Sequence, residues 1–109
     1  MGIERAYDQE TLEAALRSET AVLYKHSSAC RISARAIREV EAFAKEHPEV
    51  SVYVIDVRES RDLSQRVVTD LGIRHESPQV IVVKKGSACW HASQLEITAQ
   101  ALSQVLDAA

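Results

Sequence analysis

The chain is poor in the residues that build special frameworks. It has two cysteines, Cys30 and Cys89, 59 positions apart in 109 residues. That is too few for the disulfide scaffold on which small secreted domains rely. Three glycines and two prolines leave no flexible linker. No low-complexity tract or internal repeat appears, so one domain over residues 1–109 is expected. No apolar run approaches the roughly 20 residues needed to span a bilayer. Neither sign of charge dominates: 13 Lys and Arg against 16 Asp and Glu give a net charge of -3. Such a balance offers no electrostatic reason to expect nucleic acid or a membrane surface as partner. Met1-Gly2-Ile3-Glu4-Arg5-Ala6 carries an acid early and has no apolar h-region, so no secretory signal is expected. The reducing cytoplasm is then the expected compartment, where thiols are more often catalytic or inert than bridged. Four histidines and two cysteines show no ligand-type spacing, and no metal is expected.

What is present is an ordinary globular composition, 46% hydrophobic and 27% charged, long enough for a real core. Asp8 to Leu16 reads as a first helix, with Asp8 as its cap and Thr11 as the alternative. Residues 21–26 (Ala-Val-Leu-Tyr-Lys-His) read as a strand. Ser33 to His47 follows with Ile37, Val40, Ala44 and either Phe43 or Ala36 at helical spacing, and Pro48 closes it. Val50 to Val57 is β-branched and almost continuously apolar, as a strand buried in a parallel pair should be. Asp62 to Leu71 reads as a helix with Leu63, Val67, Val68 and Leu71 inward and Gly72 as C-cap. Val80–Val83 and Ala88–His91 flank the turn Lys84-Lys85-Gly86-Ser87. Thr98 starts a last helix that buries Ala101, Leu102, Val105 and Leu106. Strand–helix–strand units require right-handed parallel crossovers, and the hairpin adds an antiparallel pair. The expected fold is α/β: a mixed sheet of four strands, or five if the weakly signalled Ile3–Ala6 contributes, with helices on both faces.

The chemistry concentrates at Cys30-Arg31-Ile32-Ser33, where the first confident strand gives way, through Ser27-Ser28-Ala29, to a helix. A sulfur at a helix N-terminus faces unpaired N–H groups and the positive end of the dipole, which favour the thiolate. Cys-x-x-Cys at this place would be a dithiol redox motif; Ser33 holds the second position and leaves one reactive thiol. Ser33 is a poor nucleophile, suited to donate a hydrogen bond to the Cys30 sulfur or to cap the helix. The Arg31 guanidinium either favours the thiolate and draws carboxylates or is simply solvated. His26 is either an acid–base partner of the thiol or a structural strand-end residue. Cys89, inside an apolar strand, reads as a small buried hydrophobe; Trp90 reads as core or as part of a helix-covered face.

Cys-x-x-Ser after the first confident strand, with Ser77-Pro78 before the hairpin, resembles the thioredoxin superfamily. Tyr24-Lys25-His26-Ser27, Cys30-x-Ile32-Ser33, Glu46-His47-Pro48-Glu49-Val50, Arg74-His75-Glu76-Ser77-Pro78-Gln79 and Trp90-His91-Ala92-Ser93 are similar, more closely, to the monothiol bacilliredoxin family. The likeness runs from about Asp8 to the last helix. It departs at Arg31, where the family usually has proline, and the departure bears on the rate and pKa of the thiol.

The resemblance implies a thioredoxin-like fold and a thiol–disulfide oxidoreductase that removes bacillithiol from S-bacillithiolated proteins through Cys30. Bacillithiol is then the co-substrate, and bacillithiolated client proteins are the partners. It implies a cis peptide before Pro78, with the Ser77 backbone facing the cysteine and pairing with an extended substrate. Arg31, Ser33, His75, Glu76, Ser77 and Pro78 would contact the small thiol. The alternative is a non-catalytic thioredoxin-fold binding module that carries a small thiol or an iron–sulfur cluster; since the motif offers one thiolate, a cluster would need others from outside it.

Overall fold

The computed structural model describes residues 3–6, 8–28 and 31–107. In chain order its elements are β1 (Ile3–Arg5), α1 (Gln9–Arg17), β2 (Thr20–His26), α2 (Arg31–Glu46), β3 (Ser51–Asp56), α3 (Arg61–Leu71), β4 (Gln79–Lys84), β5 (Ser87–Ser93) and α4 (Ala99–Asp107), with a 3-10 turn at Gln94–Glu96. The weakly signalled N-terminal segment does pair, making a five-stranded sheet of order β1-β3-β2-β4-β5. β3 runs parallel to β1 and to β2, whereas β4 is antiparallel to β2 and to β5.

Local signals explain most element ends. Asp8 is the N-cap of α1: its Oδ1 accepts from the Thr11 N–H at 2.9 Å and from the Thr11 hydroxyl at 2.8 Å. α2 begins two residues before Ser33. Gly72, at φ +68°, takes the left-handed position after α3, and its N–H donates to Val68 O at 2.9 Å. The β4–β5 connection is a two-residue turn in which Lys85 (φ +52°) and Gly86 (φ +81°) both lie in the left-handed region, the turn whose twist matches a hairpin. The Thr98 hydroxyl accepts from Ala101 N at 3.1 Å at the start of α4, and Glu39 of α2 accepts from Ala99 N at 2.9 Å.

The sheet separates two cores. One joins Val22 and Tyr24 of β2 to Ala36, Val40 and Phe43 of α2 and to Leu102 of α4. The other joins Leu23 and Ile55 to Leu12 and Ala15 of α1 and to Leu63 and Val67 of α3. Both Ala36 and Phe43 are buried, so the two options for the α2 stripe coexist. On α3 Val68 and Leu71 are half-buried, and Ser64 takes a buried position instead.

Cys89 corrects an expectation: it is exposed. β5 is an edge strand, and its register with β4 slips between Val82 and Val83, so that Val82 faces Trp90 while Val83 faces Ala88. Cys89 is the extra residue of that bulge. Ala88 packs against the α1/α3 core and Trp90, two residues on, against the α2/α4 core. A regular strand would send both to one face, and the bulge turns the chain between them. In a Cys30→Ser variant, native protein should therefore take up one alkyl group per chain from iodoacetamide, at a rate comparable to the urea-unfolded chain; intact-mass kinetics check this, and protection of Cys89 in the native state would contradict it.

Candidate active site

The C-terminal end of β2 divides its side chains between the two cores. Tyr24 and His26 face the α2 side, and Lys25 faces the α3 side. Tyr24 is fully buried, so its hydroxyl must find partners inside. It donates to Ser33 O at 3.3 Å and lies 3.0 Å from His26 Nδ1. A phenol has one proton. With that proton directed at Ser33 O, His26 donates through Nδ1–H and keeps Nε2 as its basic atom. Burial holds the His26 imidazole below its ordinary value; the Asp56 carboxylate works against the shift and Arg5 adds to it. The His26 ring helps line a hollow of about 320 Å³ with Ile3, Arg5, Ile37, Glu41 and Val54.

Ser33, in the first turn of α2, is fully buried. Its Oγ accepts from Ser27 N at 3.3 Å. The hydroxyl thus ties together the two ends of the segment that contains Cys30. As acceptor it serves the loop rather than the first-turn N–H groups of its own helix.

On the other face Lys25 and Gln79 are cross-strand partners, and neither has any solvent exposure. Lys25 Nζ lies 3.1 Å from His75 Nδ1. Gln79 clasps the loop before β4: its Nε2 donates to Arg74 O at 3.0 Å, and its Oε1 accepts from Glu76 N at 3.4 Å. The loop leads into the Ser77–Pro78 peptide bond, which is cis. Pro78 is buried; Ser77 Oγ is buried too and, among the described residues, has no hydrogen-bond partner. Because Lys25 pairs with Gln79, Pro78 is brought to the end of β2 that His26 occupies.

Of the residues expected at the site, Cys30 lies outside the described residues. Ser33, Ser77 and Pro78 gather around the end of β2, whereas Arg31, His75 and Glu76 are exposed at its margin. The sequence reading assigned nothing to Lys25 and Gln79. Their signal was available: one lysine inside an otherwise apolar central strand, and one glutamine between Pro78 and the apolar run of β4. Among the described residues no cluster of His, Cys, Asp or Glu is arranged to hold a metal, and no helix is long and apolar enough to cross a membrane.

Burial pushes the Lys25 ammonium down from 10.5 to about 8, and no carboxylate offsets it. His75 is also held low, first by burial and then by Lys25, with Glu76 opposing. Between about 8 and 10.5 the unfolded chain binds more protons at Lys25 than the folded one does. The contribution of Lys25 to stability therefore rises with pH through that window and is lowest below it. Replacing it by methionine should remove this dependence. The stability of Lys25→Met relative to the parent should be greatest below pH 8 and fall by on the order of 1–3 kcal/mol towards pH 10.5. Urea titrations at several pH values measure it, and a difference independent of pH would contradict it.

The structural likenesses are to redox proteins. A candidate oxidoreductase with a thioredoxin fold superposes with a TM-score of 0.90 at 25% identity, over 96% of this chain and 94% of that one. Thioredoxin from Trypanosoma brucei brucei gives 0.80 at 17% identity, over 96% and 88%. Oxidised thioredoxin from Plasmodium falciparum gives 0.76 at 17% identity, over 97% and 96%. The architecture is the thioredoxin fold. The model of the monothiol bacilliredoxin family, BrxC, matches residues 2–102. The chain belongs to that family, a thioredoxin-fold group whose function is thiol redox chemistry.

Proposed function

We propose that this protein is a monothiol thiol–disulfide oxidoreductase that removes bacillithiol from S-bacillithiolated proteins, with Cys30 as nucleophile. Family membership supports the reading. The observation that carries it is the meeting of two elements at the C-terminal end of β2: α2, which starts at the residue after Cys30, and the loop that ends in Pro78.

In the reaction the Cys30 thiolate attacks the bacillithiol sulfur of the mixed disulfide. The client–bacillithiol S–S bond breaks, its electron pair leaves on the client sulfur, and a Cys30–bacillithiol disulfide forms. A second bacillithiol thiolate attacks that sulfur, releasing bacillithiol disulfide and the Cys30 thiolate. Ser33 resolves nothing, because a hydroxyl is too weak a nucleophile; it holds the loop. The α2 N-terminus and Arg31 favour the anionic sulfur. The Ser77 backbone pairs with an extended client segment, while His75 and Glu76 border the small thiol. The cytoplasm is the compartment in which such clients would be met.

Cys30→Ser should abolish release of bacillithiol from a modified client, followed by intact mass, and Cys89→Ala should retain it. Loss of activity in both variants, with the adduct held on Cys30 in Cys89→Ala, would make Cys89 a resolving thiol. A purified protein with visible absorbance and no exchange activity would favour cluster binding instead.

Arg31→Pro should raise the Cys30 pKa by less than about one unit, since a solvent-facing guanidinium is well screened. Proline is tolerated in the first helical turn, so the variant should fold. Thiolate absorbance near 240 nm, titrated for both proteins, tests this; an unchanged or lower value would show that Arg31 does not act on the sulfur.

A further inference from the structure

On the α3 side of the same end of the sheet is a hollow of about 320 Å³ lined by Val57, Arg58, Arg61, Ser64, Gln65 and His75. We propose that it binds the carboxylate end of the small thiol, an inference that rests on the function proposed above. The lining offers two guanidiniums, an imidazole, a hydroxyl and an amide, and no carboxylate. Among the described residues the side chains of Arg58 and Arg61 make no hydrogen bond or ion pair. Glu59 and Asp62 adjoin the two arginines in sequence, but neither lines the hollow, and Asp62 lines a different one with Asp8 and Arg66. Asp56 is engaged elsewhere: its Oδ1 accepts from the backbone N–H of Arg58 at 2.9 Å and of Glu59 at 3.0 Å. Arg61 opens α3, and the Ser60 side chain makes no capping hydrogen bond there. The positive end of an 11-residue helix is thus left uncapped by that side chain beside the two arginines.

A separate observation points to an anion. Lys25 is fully buried, and its described contact is to an imidazole rather than a carboxylate. A buried cation is ordinarily matched by an opposite charge. His75 links it to the hollow: its Nδ1 is 3.1 Å from Lys25 Nζ and 3.5 Å from the Ser64 hydroxyl. With Lys25 donating to Nδ1, the remaining ring proton is on Nε2, so His75 adds a neutral donor to the wall. An anion in the hollow supplies the counter-charge that Lys25 lacks.

The position suits one end of a molecule whose sulfur is exchanged at Cys30. Val57 N donates to His26 O at 3.0 Å, joining the hollow to the end of β2 that leads to Cys30. His75 stands three residues before cis Pro78. Bacillithiol carries its two carboxylates on a malyl group away from the thiol, and two guanidiniums match a dianion by charge-assisted hydrogen bonds.

Free malate, which has the carboxylates and no sulfur, should shift the backbone amide signals of Arg58, Arg61 and Ser64 when titrated into Cys30→Ser protein. The double variant Arg58→Gln/Arg61→Gln should bind it about tenfold or more weakly. In the exchange reaction the double variant should lower kcat/KM for a bacillithiol adduct relative to a cysteamine adduct, which has no carboxylate, by a similar factor through KM. Malate shifts elsewhere or none, or an unchanged ratio of the two adducts, would overturn the proposal. So would competition by a glutamate-rich client peptide in the absence of malate binding, which would assign the hollow to a client carboxylate. If malate binds in the hollow but the parent protein does not process the bacillithiol adduct, the anion site stands, while the proposed activity and the assignment of the site to that thiol both fall.

Discussion

The constraint on which this molecule depends is the double burial of β2. The strand is the middle one of five, bonded parallel to β3 and antiparallel to β4, and its five interior residues, Ala21 to Lys25, are inaccessible to solvent. Side chains alternate across a strand. The last three residues must therefore deliver Tyr24 and the half-buried His26 to the α2 side and Lys25 to the α3 side, and the polar groups of Tyr24 and Lys25 have lost their water. Outside the strand the partners they find, Ser33 O and His75 Nδ1, are parts of the two segments that flank the proposed reaction centre. Satisfying the buried polar atoms of one strand thus arranges the helix start on one face and the cis-proline loop on the other.

The two faces meet that demand differently. On the α2 side the groups are neutral and the hydrogen bonds short-range in sequence, from Tyr24 to His26 and Ser33. On the α3 side a potentially charged amine rests on a neutral imidazole 50 positions away. Burial opposes its charge, and no carboxylate compensates. His75 joins that amine to a hollow whose lining holds two arginines and no carboxylate, although the whole chain is slightly acidic. The asymmetry belongs to the site and is invisible in the overall charge.

The hairpin shows how the same sheet accommodates an edge. β5 covers both cores in turn, and it does so by a bulge at Cys89 rather than by a change of strand. Exposure of that thiol follows from the bulge. Neighbours at 17% identity keep the same architecture, as expected when apolar patterning and element order govern the fold.

Much of the architecture was legible from residues alone. β-branched runs, helical spacing, Asp8, Gly72 and the Lys85-Gly86 turn each act through neighbours in the chain, so they can be read without the rest of the molecule. The change from strand to helix between His26 and Ser33 was legible for the same reason, and the Pro78 cis bond followed only from likeness to a family. Cys89 misled because a strand pattern assumes regular alternation, and a one-residue bulge on an edge reverses it. Lys25 and Gln79 were unread because their meaning comes from the folded sheet: Lys25 meets His75, 50 positions on, and Gln79 is sealed from water opposite Lys25 in the β2–β4 pair, where it turns to the loop before it. By itself the sequence determined the order of elements, their caps and a helix that starts just after the strand ending at His26, all consequences of short-range sterics and periodicity. Only the tertiary structure decided which polar side chains are sealed from water and which cations share a hollow, because burial and long-range pairing exist only once the sheet has closed between its two helix layers.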